Sequence, residues 1–504
     1  MKRIPNKARG YLAMGGLTLI ALLLMLYRLG TAEVCGANEA IEGLFVQQMV
    51  EHNALLFPVA NGHDPMYKPP LFHWTATGLA HLFGISKVTA FGLRAPSALY
   101  ASAGVALTVG FALSVLDLEG AVLAGLILLS SYQYVSQGRI GRVDMALTFF
   151  EALALFSFLW WLPEKESADA GATERTRKPQ EALRYLFAAA LGLAVLSKGP
   201  VGAMLPMLAI AIFIAWEKRW RDAIKLFSPG SAMLTVALAS SWYLACLFGR
   251  RYGFLDRQIG SENFGRFFGA LGSMAPTYYL KPILLNSAPA SLLIPFAAVA
   301  ALRKGGENPP AADTGEGPRD RVRDTARLFA IFWIVTIAFF TIAAYKRRAY
   351  LLPVWPPAAV LIAWWLDRFR VYRWSRIARG AAFAACAIMV FVNLFYIPFK
   401  EVRDCADGSV REAAAQINRA VGRDEPLFSY GLDQDPAPLL FYLNRQVPPL
   451  HGELGDVPGG FVIVPVEVWA SHKSKVLELE PVLTAGSGRR ALILLHRGKL
   501  YGAL

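Results

Sequence analysis

Residues 143–161 read VDMALTFFEALALFSFLWW. The run has the length, about 20 residues, that a helix needs to cross a hydrocarbon core. It nevertheless opens on Asp144 and carries Glu151 inside it. Acids within such a run are costly and are kept where they face a protein interior or a functional site. Asp144, Thr148 and Glu151 fall at i, i+4 and i+7, so they share one side of the helix. Two readings stand. The acids belong to a site, or Asp144 caps its helix, or pairs with Arg139 or Arg142, for structure alone.

Working outward, similar apolar runs occur near 11–28, 89–115, 120–136, 183–197, 199–216, 229–248, 283–302, 327–344, 350–366 and 380–398. With 144–162 they make about eleven spans, and up to thirteen if short ones hide in the long runs. The 504 residues are 55% hydrophobic and only 17% charged, against roughly a quarter charged in soluble chains. Mean hydropathy is +0.39. The expected class is therefore mainly α, a polytopic helical membrane protein. The formal charge is +14, but the basic residues fall between apolar runs. They set orientation rather than suggest nucleic acid. The basic N-terminus before 11–27 reads as the flank of a retained first helix rather than a cleaved signal peptide.

With a cytoplasmic N-terminus, the inner loops are 163–182, 217–226, 303–326 and 367–379, each basic. The last carries Arg368, Arg370, Arg373, Arg376 and Arg379, and 303–326 reads as a flexible linker. The outer segments are then 29–88, 136–143, the 197–199 turn, 249–282, 345–349 and everything after about 400. That tail alternates helix-like REAAAQINRAV and PLLFYLNRQ with strand-like EPLFSY, FVIVPVEV and ALILLHR, predicting a small α/β domain over 401–504. Residues 1–400 form the membrane domain, with 29–88 as its first outer loop.

Several outer cations break the orientation rule: Lys68, Lys198, Arg266, Lys346, Arg347 and Arg348. Any one of them is compatible with interfacial snorkelling. Together, from four loops on one face, they point to an anionic ligand, best a phosphate or pyrophosphate. Loop 29–88 adds CGANEAIEGLFVQQMVEHN, an amphipathic helix with Glu39 and Glu42 on one face and Ile41, Leu44, Phe45 and Met49 on the other. Asn38 caps it, or lies in the site beside Glu39. Cations for a lipid phosphate and a carboxylate to take a proton from an acceptor hydroxyl are what an enzyme acting on a phosphate-linked lipid needs.

The motifs NEAIEGLFVQQMVEHN, YKPPLFHW, GLRAPSALY, GRVDMALTFF, LSKGPVG, ENFGRF with APTYYL, and KRRAYLLP occur in this order over residues 10–400. In them the chain resembles the polyprenyl-phosphate-sugar glycosyltransferases of the GT-C class. The aminoarabinose transferase branch is nearest and the protein mannosyltransferases more distant. The resemblance implies transfer of a sugar from a polyprenyl phosphate to a lipid A-like lipid, glycan or protein acceptor outside the inner membrane. By the same resemblance Lys68 and Arg266 touch the lipid phosphate, and Asn38, Lys198, Lys346 and Arg347 join them as substrate-binding candidates. Relatives carry an Asp-Glu pair where this chain has Asn38-Glu39, and an amide is no base at neutral pH. Glu39 takes over, or Asp144 does, or the chemistry is altered; Glu39 with Asp144 in support is the expected catalytic pair. Tyr67 and Asn263 replace residues that bear Glu and His in some relatives, so no metal and no cofactor are expected.

Two other classes remain open. A transporter or flippase is disfavoured by the lack of an inverted repeat and by charges gathered at one face. A lipid-binding, non-catalytic relative is kept open by Asn38. Of the four cysteines, Cys35 and Cys405 lie on the predicted outer side and either pair or stay free. Cys246 and Cys386 read as apolar filler.

Overall fold

The computed structural model describes residues 6–163, 174–270, 272–285, 288, 290–303, 319–368, 373–405, 408–432, 436–473, 476, 478–487 and 491–497. Each of the eleven expected apolar runs is occupied by a helix or a bent helix pair. Seven are long and apolar enough by themselves to cross a membrane: Lys7–Leu26, Ala90–Ala112, Asp144–Trp161, Pro229–Phe248, Asp320–Ile342, Arg348–Asp367 and Ile377–Asp404. Two bent pairs, Leu118–Ser130 with Tyr132–Gly138 and Pro276–Leu285 with Ala290–Leu302, bring the number to nine among the described residues. The helices Glu174–Lys198 and Val201–Glu217 fill the remaining two runs.

Contacts divide the chain into two units. The first comprises Met1–Tyr27, Tyr67–Phe72 and Ala95–Ile397. Its helices meet through aromatic rings, with Phe111 stacked on Phe156 at 4.4 Å and both against Phe329. Breaks in the helices are chemically closed. At the 68° bend after Ser130, the Ser131 hydroxyl accepts from Tyr134 N–H and Asn393 donates to the Leu129 and Ser130 carbonyls. The first helix ends on Arg139, which is buried and donates to the carbonyls of Leu24, Met25 and Tyr27 at 2.9–3.0 Å. A guanidinium thus satisfies helix-terminal carbonyls that have no intrahelical partner.

The expected linker 303–326 is only partly a linker. Residues 304–318 lie outside the described residues, but a helix begins at Arg319. Buried Asp324 explains why, because it accepts from Arg219 Nη1 at 2.7 Å and ties that helix down. Likewise the loop 163–182 is helical from Glu174, its residues 164–173 lying outside the described ones, as does Arg370 of the basic loop 367–379.

The second unit comprises Arg28–Met66, His73–Arg94 and Pro398–Leu504. The expected α/β tail is there. A four-stranded sheet runs Leu427–Ser429, Gly460–Pro465, Leu492–Arg497, Leu479–Ala485 in spatial order, with the first pair parallel and the others antiparallel. Val462, Val464, Trp469, Leu479 and Leu495 form its core. The strand Leu479–Ala485 was not foreseen, because Glu480 and Pro481 interrupt its apolar pattern.

The helix Ala37–His52 is present but departs from the amphipathic reading. Glu39, Glu42 and Gln47 are buried along with Leu44, Phe45 and Met49. It packs on the helix Ala437–Leu443 so closely that a Cβ on Gly43 would lie 2.7 Å from the Phe441 ring. Gln47 also donates to the Phe441 carbonyl at 2.9 Å. Protein, rather than a membrane surface, covers both of its faces. Cys35 and Cys405 form a disulfide within this unit, closing one of the two alternatives, and Cys246 and Cys386 are free and buried.

Candidate active site

In the first unit the helix Glu174–Lys198 stops because Gly199 adopts φ +110°, a conformation side-chain-bearing residues rarely take. That turn sets Lys198 against the first residue of the helix Asp144–Trp161. Lys198 Nζ lies 2.5 Å from Asp144 Oδ1, and Arg142 Nη2 lies 3.1 Å from Asp144 Oδ2. The charge of Lys68, itself buried, acts on both Asp144 and Lys198. Asp144 is therefore a shared counter-ion for at least two cations, which goes beyond the helix-capping alternative.

The cations continue outward through tyrosine rings. Lys198 sits over the Tyr350 ring at 4.6 Å, and Tyr350 Oη accepts from Arg266 Nη1 at 3.1 Å. Arg266 is also paired with Glu262 at 2.7 Å and, like Arg347, faces the Tyr345 ring at 5.4 Å. Tyr67 carries Lys68 at 5.0 Å and Arg257 at 5.1 Å. Aromatic faces hold cations in place without neutralising them. Arg257 and Arg266 are supplied by a π-helical stretch, Asp256–Gly265, and the residue after it. Such stretches are rare and concentrate at functional sites.

Of the expected residues, Lys68, Asp144, Lys198, Arg266 and Arg347 are thus brought into one constellation. Lys346 is turned away from it: its buried ammonium donates to the carbonyls of Ala343 at 2.6 Å and Met274 at 3.1 Å, closing the end of the helix Arg319–Ile342. Arg142 pairs with Asp144, as the structural alternative expected, whereas Arg257 and the three tyrosines were missed. Tyrosines in apolar surroundings read as packing, and only their spacing beside Lys68 and Arg347 hinted otherwise. Glu151 is fully buried, and neither of its oxygens has a hydrogen-bond partner among the described residues; Lys198 is the charge that reaches it.

The expected base lies in the second unit. Glu39 accepts from Arg94 Nε at 2.7 Å and Nη2 at 2.9 Å, a bidentate pair. Arg94 spends its other hydrogens on the carbonyls of Leu29, Ala32 and Glu33. Glu42 is paired with His73 at 2.7 Å, both fully buried. Asn38 is exposed at the start of the helix. No group of three or more His, Cys, Asp and Glu suited to a metal occurs among the described residues.

Comparison with known proteins follows the same line. Residues 17–249 match the family model described as dolichyl-phosphate-mannose-protein mannosyltransferase. The crystal structure of ArnT from Cupriavidus metallidurans bound to undecaprenyl phosphate superposes with a TM-score of 0.77 at 17% identity, covering 97% of this chain and 99% of that one. The chain has an ArnT-like GT-C fold. An archaeal oligosaccharyltransferase from Archaeoglobus fulgidus shares this GT-C fold more loosely, with a TM-score of 0.56 at 12% identity over 92% of this chain and 70% of that one.

In sequence, an uncharacterised protein of Aquifex aeolicus is 26% identical over 69% of this chain and 62% of its own length. The undecaprenyl phosphate-alpha-4-amino-4-deoxy-L-arabinose arabinosyl transferase of Aeromonas salmonicida is 28% identical over 69% of this chain and 58% of its own length. The aligned region thus spans about six tenths of these two relatives.

Proposed function

We propose that the protein is an integral-membrane glycosyltransferase that moves a sugar from a polyprenyl-phosphate donor to a hydroxyl on a lipid, glycan or protein acceptor. The unsaturated cations of the first unit carry this reading. Lys198 spends one hydrogen on Asp144 and meets no other hydrogen-bond acceptor among the described residues, and Arg266 Nε is buried without a partner. Buried cations held beyond what their carboxylates neutralise are a ready site for phosphate oxygens. The named activities of the arabinosyl transferases and the lipid phosphate in the ArnT crystal structure agree with it.

In this reading Lys68, Lys198 and Arg266 hold the donor phosphate, with Arg257 and Arg347 at its rim. They stabilise it as it leaves: the bond from the anomeric carbon to the phosphate oxygen breaks, the bond to the acceptor oxygen forms, and the acceptor's proton passes to the departing phosphate monoester. Charge that develops in a water-poor site is where fixed cations contribute most. Asp144 orients Lys198. Glu39 can take a proton only by giving up an Arg94 hydrogen bond, so its first role is to brace residues 29–33, and Asn38 beside it stays a substrate-binding candidate. Lys346 holds its turn.

The second unit is extracytoplasmic in this reading, at the outer face of a bacterial-type inner membrane. The Cys35–Cys405 disulfide supports that side, since such bonds persist in oxidising compartments. So does the basic character of the opposite loops.

The test is release of free polyprenyl phosphate by purified protein in lipid, with polyprenyl-phosphate pentose and hexose donors and candidate acceptors. Wild type is run beside Glu39→Gln and Asp144→Asn. Release by wild type that Asp144→Asn loses supports the assignment. Tight binding of polyprenyl phosphate without release from any donor would instead make the chain a lipid-binding protein.

A further inference from the structure

Asp144 and Lys198 meet at one end of the helix Asp144–Trp161. At its other end, 18 residues or about 27 Å along the axis, the Pro163 carbonyl accepts from Arg219 Nη2. Arg219 precedes a short helix, Trp220–Leu226, which joins the apolar helix Val201–Glu217 to the span Pro229–Phe248. A connection between two such helices sits where hydrocarbon gives way to water.

The side chains of the short helix fall into three stripes. Asp222 and Leu226 face inward: Leu226 is fully buried, and Asp222 accepts from Arg219 Nε at 2.7 Å. Trp220, Ile224 and Phe227, at i, i+4 and i+7, face outward and are 59%, 78% and 41% exposed. Arg221 and Lys225, at i and i+4, make the third stripe, which Lys218 precedes, and all three are exposed. The apolar stripe continues along the chain into a span that protein covers over only 17% of its apolar window, with Met233 and Val236 exposed on it. Tryptophan and phenylalanine at such a boundary anchor a chain in the interface.

The charges are sorted by direction. The acids linked to this corner are engaged by arginines: Asp222 and Asp324 by buried Arg219, Glu217 by Arg327, and Glu181 by Arg184 at 4.0 Å. Lys218, Arg221 and Lys225 meet no carboxylate among the described residues. Inward pairing thus removes the negative charges that would repel a phosphate, and the charges left on the outside are positive. Outward cations beside an outward apolar stripe are the two halves of a helix that lies in a lipid interface.

We propose that Lys218, Arg221 and Lys225 form a binding site for the headgroups of anionic phospholipids, with the Trp220–Ile224–Phe227 stripe seated among the acyl chains beside them. The site is distinct from the one around Lys198, because the length of the helix Asp144–Trp161 separates the two, and it serves the opposite leaflet. The Arg219–Asp324 pair, at 2.7 Å, bolts it to the bundle. Nothing in it depends on the transferase reading.

The test uses the full chain in nanodiscs of phosphatidylcholine and phosphatidylglycerol, one or the other lipid carrying brominated acyl chains. Bromine quenches nearby tryptophans, and subtraction of a Trp216→Phe, Trp220→Phe variant isolates the signal of these two among the twelve. Wild type is expected to favour phosphatidylglycerol about tenfold at these rings, and added salt to erase the preference. Lys218→Gln, Arg221→Gln and Lys225→Gln together should reduce the preference to about twofold or less, with the thermal midpoint unchanged. Ile224→Ser should weaken quenching by both lipids alike and keep the preference. A preference undiminished in the triple variant, absent from the wild type, or insensitive to salt overturns the site, and the last two readouts need no variant to fold. Loss of the preference to inorganic phosphate at matched ionic strength would make this a free-anion site and overturn the lipid assignment.

Discussion

Two buried arginine- or lysine-carboxylate clusters in this protein are built to opposite ends. Around Glu39, Arg94 uses all five of its hydrogens, two on the carboxylate and three on carbonyls of residues 29–33. Around Asp144, cations outnumber carboxylates, Lys198 leans on an aromatic face, and Arg266 Nε has no partner among the described residues. A saturated cluster has nothing left for a ligand and contributes structure. An unsaturated one retains desolvated charge that a ligand can complete. Burial and formal charge alone do not separate the two; the count of unused donors does.

The comparison can be broken most directly by removing one cation from each cluster. Arg94→Met should leave Glu39 charged, buried and unpaired, at a cost of about 3–5 kcal/mol. It is expected to lower the thermal midpoint sharply in detergent, with polyprenyl-phosphate binding lost only as the fold is lost. An unchanged midpoint would mean that the saturated cluster is not structural. Within the same unit, Cys35→Ser with Cys405→Ser removes the one covalent tie and should cost roughly 3 kcal/mol. Differential alkylation of the wild type should find both thiols protected until a reductant is added.

Lys198→Met is expected to do the reverse of Arg94→Met. Arg142 remains on Asp144, so the midpoint should move little, while polyprenyl-phosphate release falls about 100-fold, or roughly 2.7 kcal/mol of transition-state stabilisation. A large loss of stability with normal turnover per folded molecule would reverse the assignment of the two clusters. The smallest effect is expected for Arg266→Lys. An ammonium keeps the charge but cannot serve Glu262, Tyr350 and the Tyr345 face together, so the donor KM should rise about tenfold with kcat nearly unchanged.

The spans were legible because each is a continuous apolar run and the backbone in a membrane has few alternatives to a helix. Asp144 and Lys198 were legible as charges out of place. Their pairing was visible only as a shared face, because 54 residues separate them in sequence. Arg94 was hidden in GLRAPSALY, where it reads as the edge of a span, so Glu39 looked available when it is engaged. Tyr67, Tyr345 and Tyr350 were hidden for another reason: an aromatic ring serves equally well for packing, for an interface or for holding a cation. The placing of Arg257 and Arg266 depends on the π-helical register of residues 256–265, which no hydrophobic period announces.

Arg139 carries a consequence for biogenesis. The helix Lys7–Leu26 is covered by protein over only 28% of its apolar window, so its fixed partners are few. Its terminal carbonyls wait for a guanidinium as far as 115 residues downstream. At about 5–20 residues per second of synthesis, the delay is roughly 6–23 s. Through that interval the end of the helix stays uncapped, and the arrival of one side chain closes it.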